Sequence, residues 1–349
     1  MRQVMVRYRV KADQAARNEE LVAPRRGLTR RAAIVDHARM PSAEDLETIT
    51  IAAPRGRLTA TFAPRAGMVC CSLEHEGQEL LARLAGLAAY AERGSTMGIP
   101  LLHPWANRLG ASAYGLPPHR VELDAPVARD LVRRDAGGLP IHGVIGARLP
   151  WRVIEGVEGG SALRAQMQWD SPDLLSVFPF PHTLELRVGL GDGALTYETI
   201  LSAKADSHVP VSYGQHPYLT LTGAGRESWQ VELPQMRGLA LDERGIPTGE
   251  TTTLEARSLS LGDSDWDHAF DSLADGAAFS VSDGARAVTV EFLRGYPCAQ
   301  VFAPSGEEFI CFEPMTAPTN ALLTGDGLRT VPPGGEFHSV FRISVSPEA

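Results

Sequence analysis

The 349-residue sequence has few cysteines and no long apolar stretch, and both features exclude classes of protein. Its cysteines are Cys70, Cys71, Cys298 and Cys311, and no two of them form a CxxC pair. Because adjacent cysteines are poorly placed to bridge each other, a reducing, cytoplasmic compartment is expected. No run approaches the roughly 18 apolar residues of a membrane-spanning helix, so no membrane is expected as a partner.

Several catalytic motifs are also missing. The sequence contains no GxGxxG after a strand-like run, no P-loop, no HExxH and no GxSxG. These motifs accompany dinucleotide binding, nucleoside triphosphate binding, zinc proteolysis and serine hydrolysis, respectively. The sequence therefore lacks the commonest motifs for those four chemistries, and we expect neither a cofactor nor a metal.

Charge is unevenly distributed along the chain. The formal net charge is −9, from 33 basic and 42 acidic residues. Residues 1–39 hold ten of the basic and four of the acidic residues, a balance of +6, which leaves −15 on the remainder. An acidic body repels nucleic acid and anionic membrane surfaces, so neither is an expected partner.

The basic front end, residues 1–45, is expected to be a flexible or peripheral extension that is separate from residues 46–349. It lacks the apolar stretch of a secretory signal. Three interpretations remain open: a disordered tail or an extension upstream of a start at Met40, a small packed element, and an organelle-targeting segment. Glu19 and Glu20 weigh against the last, because such segments are poor in acidic residues.

From residue 46 onward, polar and apolar residues alternate with period two, which is typical of half-buried strands. Three pairs of alternating runs flank typical hairpin turns; these turns are Gly191-Asp192-Gly193, Asp283-Gly284 and Ser305-Gly306. So many short strands predict an all-β fold, a large sandwich or barrel over residues 46–349. Only residues 79–92 show helical spacing, and since Gly86 interrupts it, a helix there stays undecided.

Five segments combine glycine, proline, aromatic and ionisable residues in ways that are unusual for strands. They are residues 98–110, 139–151, 212–221, 263–270 and 312–322. Ionisable residues on rigid, proline-braced loops above a β scaffold are typical of binding and catalytic sites. These segments are therefore the place where we expect a site.

Glu313 is the least ordinary of these residues. By strand alternation it shares a face with Phe309 and Cys311, and a carboxylate on an apolar face is costly unless it is paired or functional. Taken singly, the other ionisable candidates fit structural roles at least as well. They are His216, His142, Arg108 and Asp267.

Taken together and in order, the five segments resemble the aldose 1-epimerase (galactose mutarotase) family. The matching motifs are Asn107-Arg108, His142-Gly143 ahead of Pro150-Trp151, GQHPYL around His216, Asp267 before Phe270, and Glu313-Pro314 with Asn320-Ala321 downstream. The match spans about residues 46–345. Pro-Tyr-Leu-Thr follows His216 where the family more often has Tyr-Phe-Asn, which leaves the sugar preference open.

The resemblance implies a large antiparallel β-sandwich, a supersandwich, that binds a monosaccharide and interconverts its α and β anomers. Glu313 would be the base that removes the proton of the C1 hydroxyl, and His216 the acid that protonates the ring oxygen. The positions that match substrate contacts are Arg108, Asn107, His142 and Asp267. Ring opening by acid and base needs neither a redox cofactor nor a metal.

Other functions stay open beside this isomerase. A non-catalytic sugar-binding or sensor protein could use the same fold, and a carbohydrate-cleaving enzyme could use Glu313 and Asp267 as paired carboxylates. Arg108 could also hold a phosphate, so a hexose-phosphate mutarotase is a further alternative. No cluster of lysine and arginine accompanies the site segments in the sequence to support it.

Overall fold

The computed structural model describes residues 46–115 and 120–347. The basic extension, residues 1–45, lies outside the described residues, and so do residues 116–119 and 348–349. The interpretations given for residues 1–45 therefore stay predictions.

The described residues form 27 strands and four short α-helices. The first nine strands are β1 (Ile49–Ala52), β2 (Leu58–Ala63), β3 (Val69–His75), β4 (Gln78–Glu79), β5 (Leu101–Leu102), β6 (Ala113–Tyr114), β7 (Val121–Glu122), β8 (Val132–Arg134) and β9 (Pro140–Val144). The next nine are β10 (Arg152–Gly156), β11 (Ala162–Trp169), β12 (His182–Gly191), β13 (Ala194–Ala203), β14 (Val209–Val211), β15 (Gly214–Gln215), β16 (Tyr218–Leu219), β17 (Gln230–Leu233) and β18 (Met236–Leu241). The last nine are β19 (Pro247–Leu254), β20 (Arg257–Ser260), β21 (Trp266–Asp271), β22 (Ala277–Ser282), β23 (Arg286–Arg294), β24 (Cys298–Ala303), β25 (Ile310–Met315), β26 (Arg329–Val331) and β27 (Glu336–Pro347). The helices are α1 (Gly86–Arg93), α2 (Pro126–Leu131), α3 (Pro172–Val177) and α4 (Ala321–Thr324).

Two large sheets dominate the architecture. One has nine strands in the order β10-β11-β12-β13-β27-β23-β22-β17-β20. The other has eight, in the order β19-β18-β21-β24-β25-β15-β5, with β16 paired to β25 beside this path. A smaller sheet runs β1-β2-β3-β4, and three two-stranded ribbons pair β14 with β26, β6 with β7 and β8 with β9.

The apolar core joins the sheets face to face. The Phe279 ring of the nine-stranded sheet stacks on Phe312 of the eight-stranded sheet, with ring centroids 5.4 Å apart. Phe62 of the small sheet packs against Tyr197 of the nine-stranded sheet at 6.0 Å. One continuous cluster of buried residues includes all four rings. The predicted all-β class is confirmed, and the arrangement is a large antiparallel sandwich.

The three predicted hairpins are confirmed. Strands β12 and β13 flank the Gly-Asp-Gly turn with Gly191 opposite Ala194. Strands β22 and β23 flank Asp283-Gly284, and β24 and β25 flank Ser305-Gly306. Alternation and turn residues act locally, so each pair of strands is specified by a short piece of sequence.

The undecided segment 79–92 divides into two parts. Glu79 belongs to β4, where its carboxylate accepts the backbone N–H groups of Leu73 and Leu81 and holds the chain extended. The helix α1 begins only at Gly86, whose positive φ of 85° suits a residue without a Cβ. Only the second half of the segment, from Gly86 onward, therefore forms a helix.

Two further findings concern the expected compartment and partners. Among the helices of the described residues, none combines the length and apolarity needed to cross a membrane. The four cysteines are all buried and form no disulfide.

Candidate active site

Glu313 lies inside the eight-stranded sheet, almost out of reach of solvent. All six residues of β25 are buried, and Glu313 is 2% exposed. Its Oε1 lies 3.2 Å from Nε2 of His216, while its Oε2 finds no hydrogen-bond partner in the part of the chain that is described. Burial raises the pKa of Glu313 well above its usual value; the charge of Asp267 adds to this rise and that of Arg108 opposes it.

His216 comes directly after β15, which pairs with β25 on one side and with β5 on the other. Glycine permits this close pairing, because a Cβ on Gly214 would lie 2.8 Å from the carbonyl oxygen of Pro314. The His216 ring stacks on Tyr218 with centroids 4.3 Å apart and planes within 6°. Its Nδ1 is buried and has no partner among the described residues.

The pKa of His216 is lowered to about 3, first by burial and second by the positive charge of Arg133. Burial therefore displaces the pKa values of both members of the pair from their ordinary ranges. Each shift favours the uncharged form. As a result, protonated His216 is a stronger acid than an exposed histidine, and ionised Glu313 is a stronger base than an exposed glutamate.

Two hydrogen bonds join His142 and Asn107. The N–H of His142 donates to the Asn107 carbonyl at 2.9 Å, and the N–H of Asn107 donates to Nδ1 of His142 at 3.2 Å. With Nδ1 accepting, the neutral ring carries its proton on Nε2 and can donate from there. The His142 ring lies 5.4 Å from that of His216, edge to face. Gly143 must follow, because a Cβ there would lie 2.1 Å from the His103 carbonyl oxygen.

Arg108 extends between two carboxylates. Its Nε donates to Asp135 at 2.7 Å, and its Nη1 lies 3.8 Å from Oδ2 of Asp267. The Asp267 side chain is 47% exposed, and its Oδ1 accepts a hydrogen bond of 2.5 Å from Gln300. The backbone of Gly245 packs against the guanidinium, where a Cβ would come within 2.8 Å of Nη1.

The six residues proposed from the sequence thus form one chain of contacts. It runs from Glu313 to His216, on to His142 and Asn107, and then through Arg108 to Asp267. They come from five separate segments of the chain, which the eight-stranded sheet and the β8–β9 ribbon bring together.

Sequence reasoning missed two polar neighbours. Gln300 is 1% exposed and stands directly opposite Glu313 in the β24–β25 ladder, and its Oε1 has no partner among the described residues. Asp135 lies in the β8–β9 turn, where its Oδ1 accepts the N–H of Leu139 at 2.9 Å. Aligning the two strands of the predicted hairpin could have placed Gln300 opposite Glu313. No motif in the sequence marks Asp135.

The aromatic residues near the motifs have different roles. Trp105 is fully buried in the core, and Trp151 packs against the core from a partly buried position. Tyr218 alone stacks on a candidate catalytic side chain, that of His216, and its hydroxyl pairs with Thr96 at 2.6 Å. Across residues 46–115 and 120–347, no three His, Cys, Asp or Glu side chains gather as metal ligands would.

The architecture is that of the galactose mutarotase-like β-sandwiches. A galactose mutarotase-like protein from Clostridium acetobutylicum superimposes with a TM-score of 0.74 at 18% identity, over 87% of this chain and 96% of that one. Slr1438 of Synechocystis sp. PCC 6803 superimposes with a TM-score of 0.71 at 21% identity, over 89% of this chain and 99% of its own. Likeness at such identities establishes the fold.

The family follows from the sequence as a whole. The model of the aldose 1-epimerase family matches residues 48–344, and the chain belongs to this family. The Escherichia coli (strain K12) protein YihR is 23% identical over 287 residues, which is 74% of this chain and 87% of that protein. The resemblance seen in the five motifs is thereby shown at the level of the family.

Proposed function

We propose that this chain is an aldose 1-epimerase in activity as well as in family, interconverting the α and β anomers of an aldose. One observation carries the proposal: His216 and Glu313 lie 3.2 Å apart and are buried, and each keeps one polar atom without a partner among the described residues. Unpaired buried polar atoms are costly, so an arrangement that has them is suited to a polar ligand. The C1 hydroxyl and ring oxygen of a sugar supply the matching groups.

The reaction moves two protons and returns them. Glu313 takes the proton of the C1 hydroxyl while His216 gives one to the ring oxygen, and the C1–O5 bond breaks. The aldehyde rotates about C1–C2, and the reverse transfers close the ring on its other face. Opening leaves Glu313 protonated and His216 neutral, the forms that burial favours, whereas the charged pair that begins the step is the less populated arrangement of their one shared proton.

The remaining four residues are proposed to hold the sugar. The Nε2–H of His142 and the guanidinium of Arg108 donate to hydroxyl oxygens, and Asp267 accepts from a hydroxyl. Asn107 orients His142 and Arg108. Its N–H donates to the His142 ring, and its Oδ1 accepts the N–H of Arg108 at 2.8 Å. Asp267 is already engaged by Arg108 and Gln300, which favours epimerisation over glycoside cleavage by a Glu313–Asp267 pair.

A reducing cytoplasm is proposed as the compartment. The four buried, unbridged thiols support it, because structural disulfides mark oxidising compartments.

The direct test is exchange between anomers, followed by NMR saturation transfer with a panel of free aldoses. Exchange above the enzyme-free rate for at least one aldose is the expected result. Binding of sugars without any exchange across the panel would favour the sensor function instead. Release of reducing ends from oligosaccharides would favour carbohydrate cleavage.

The pH dependence of kcat/KM should have a broad plateau. The active pair shares one proton, so activity falls at low pH when His216 gains a second proton, at a pKa of about 3. It falls at high pH when the last proton leaves, which the raised pKa of Glu313 moves above the ordinary carboxylate range. Rates are measured by polarimetry after subtraction of buffer catalysis. A single rise near pH 6.5, as for an exposed histidine, would contradict this assignment.

Asp135→Asn should raise KM by about tenfold and change kcat less, because loss of a charge-assisted hydrogen bond leaves Arg108 free to move. The matched control is Asp124→Asn. It removes the charge from a 2.7 Å ion pair to Arg134, which lies in the same ribbon but outside the chain of contacts. Equal KM values for the two variants would show that Asp135 does not position Arg108.

A further inference from the structure

Arg133 lies across the β8–β9 ribbon from His142. The pairing register of the ribbon shifts between Val132 and Arg134. As a result, Arg133 alone stands opposite residues 141–143, and the middle of these is His142. The residue thus belongs to the same two-stranded unit as one of the candidate sugar ligands.

The guanidinium of Arg133 is not neutralised. Among the described residues, its buried Nη1 has no hydrogen-bond partner, and no carboxylate lies within ion-pair distance of it. Its neighbours differ: Arg134 pairs with Asp124, and Arg108 lies between Asp135 and Asp267. A buried cationic N–H without an acceptor is costly, so the absence of a protein partner indicates an acceptor from outside.

The positive charge of Arg133 acts on the pKa of His216 and of three side chains around it. After burial, it contributes to the lowered pKa of His216 and, together with the charge of His216, to that of His142. It also opposes the rise that burial causes in the pKa of Tyr90 and of Tyr218. These four side chains therefore share the field of one uncompensated cation.

An oxyanion is the kind of group that suits this cation. It offers several acceptor lone pairs and a negative charge, so it both accepts from the Arg133 N–H and neutralises the guanidinium. The Tyr218 hydroxyl is paired with Thr96 and does not compete for this ligand.

We infer that Arg133 forms an anion subsite beside His142, so that the aldose turned over at this site carries an anionic substituent. The inference rests on the proposed function for its site, and it adds the class of substrate. Phosphate, carboxylate and sulfonate groups share the required chemistry, namely several acceptor oxygens with a negative charge. A neutral aldose leaves Arg133 unpaired.

The first measurement compares wild-type kcat/KM for glucose, glucose 6-phosphate and glucuronate by NMR saturation transfer between anomers. At least one of the anionic sugars should be preferred to glucose by about 10- to 100-fold, the range expected for a charge-assisted hydrogen bond. Phosphate and carboxylate are distinguished by which sugar is preferred. Equal or lower values for both anionic sugars would overturn the subsite without any variant being made.

The second measurement repeats this comparison of kcat/KM values in Arg133→Gln. The preference for the anionic sugar should fall by about tenfold or more in this variant. Arg133→Lys keeps the charge and should keep part of the preference. Arg129→Gln, at an exposed position of α2, is the control and should keep all of it. A preference that survives in Arg133→Gln would assign anion recognition elsewhere and overturn the inference.

Calorimetry separates this inference from the proposed function. If no aldose is anomerised but glucose 6-phosphate or glucuronate binds more tightly than glucose, and Arg133→Gln removes the difference, the subsite stands and the epimerase activity does not. If all sugars are anomerised with no preference for a charged one, the activity stands and the subsite does not.

Discussion

Glu313→Gln should lower kcat for anomer exchange by about 10²- to 10⁴-fold, because an amide cannot take the proton of the C1 hydroxyl. The amide keeps the size of the side chain, so the 3.2 Å contact to His216 can persist as a hydrogen bond. Polarimetry of a freshly dissolved pure anomer measures the loss. Glu255→Gln, at an exposed position between β19 and β20, is the matched control and should retain the wild-type rate.

The same variant should be at least as stable as the wild type at neutral pH. Because burial raises the pKa of Glu313, the native state holds its proton to a higher pH than the unfolded chain does. Stability is therefore lost as pH rises from the ordinary glutamate value through the raised one, and glutamine removes this loss. A melting temperature well below that of the wild type would attribute any loss of rate to misfolding. A rate within about threefold of the wild type would exclude Glu313 as the base.

His216→Asn should have an effect of similar size, a loss of about 10²- to 10⁴-fold in kcat. Asparagine fills part of the space over Tyr218 and can donate a hydrogen bond, but it cannot deliver a proton to the ring oxygen. His208→Asn is the control, since His208 is exposed.

The pH profile distinguishes a chemical role of His216 from a structural one. In the wild type the acid limb belongs to the second protonation of the pair, on His216. That limb should change in His216→Asn, because the variant lacks the side chain whose protonation produces it. A variant with the same acid limb and a reduced rate would identify His216 as a structural contact only.

The fold class could be predicted because its determinants are local. Strict alternation on both sides of Gly191-Asp192-Gly193 is enough to specify the β12–β13 hairpin and its register. The segment 79–92 could not be assigned, because its outcome depends on Glu79. The carboxylate of that residue bonds to Leu73 in a neighbouring strand, and spacing along the chain does not report such contacts.

The candidate site was named from the sequence through motifs, each of which is a short run around one functional residue. The motifs identify His216 and Glu313 separately, but they contain neither the 3.2 Å contact between the two nor the burial that shifts both pKa values. Asp135 and Arg133 lay outside every motif. Their relation to Arg108 and His142 arises only when β8 pairs with β9.

The sequence by itself determined the family, the antiparallel strands and the types of side chain available for acid, base and hydrogen-bonding roles. The tertiary structure alone decided which charges are compensated. Arg108 and Arg133 are both ordinary arginines in the sequence. Within the part of the chain that the structure describes, the fold gives Arg108 two carboxylates and leaves Arg133 with a buried, unpaired Nη1. The physical reason is that the free energy of a charge depends on solvent exposure and on neighbours within a few ångströms, and residues far apart in the chain supply both.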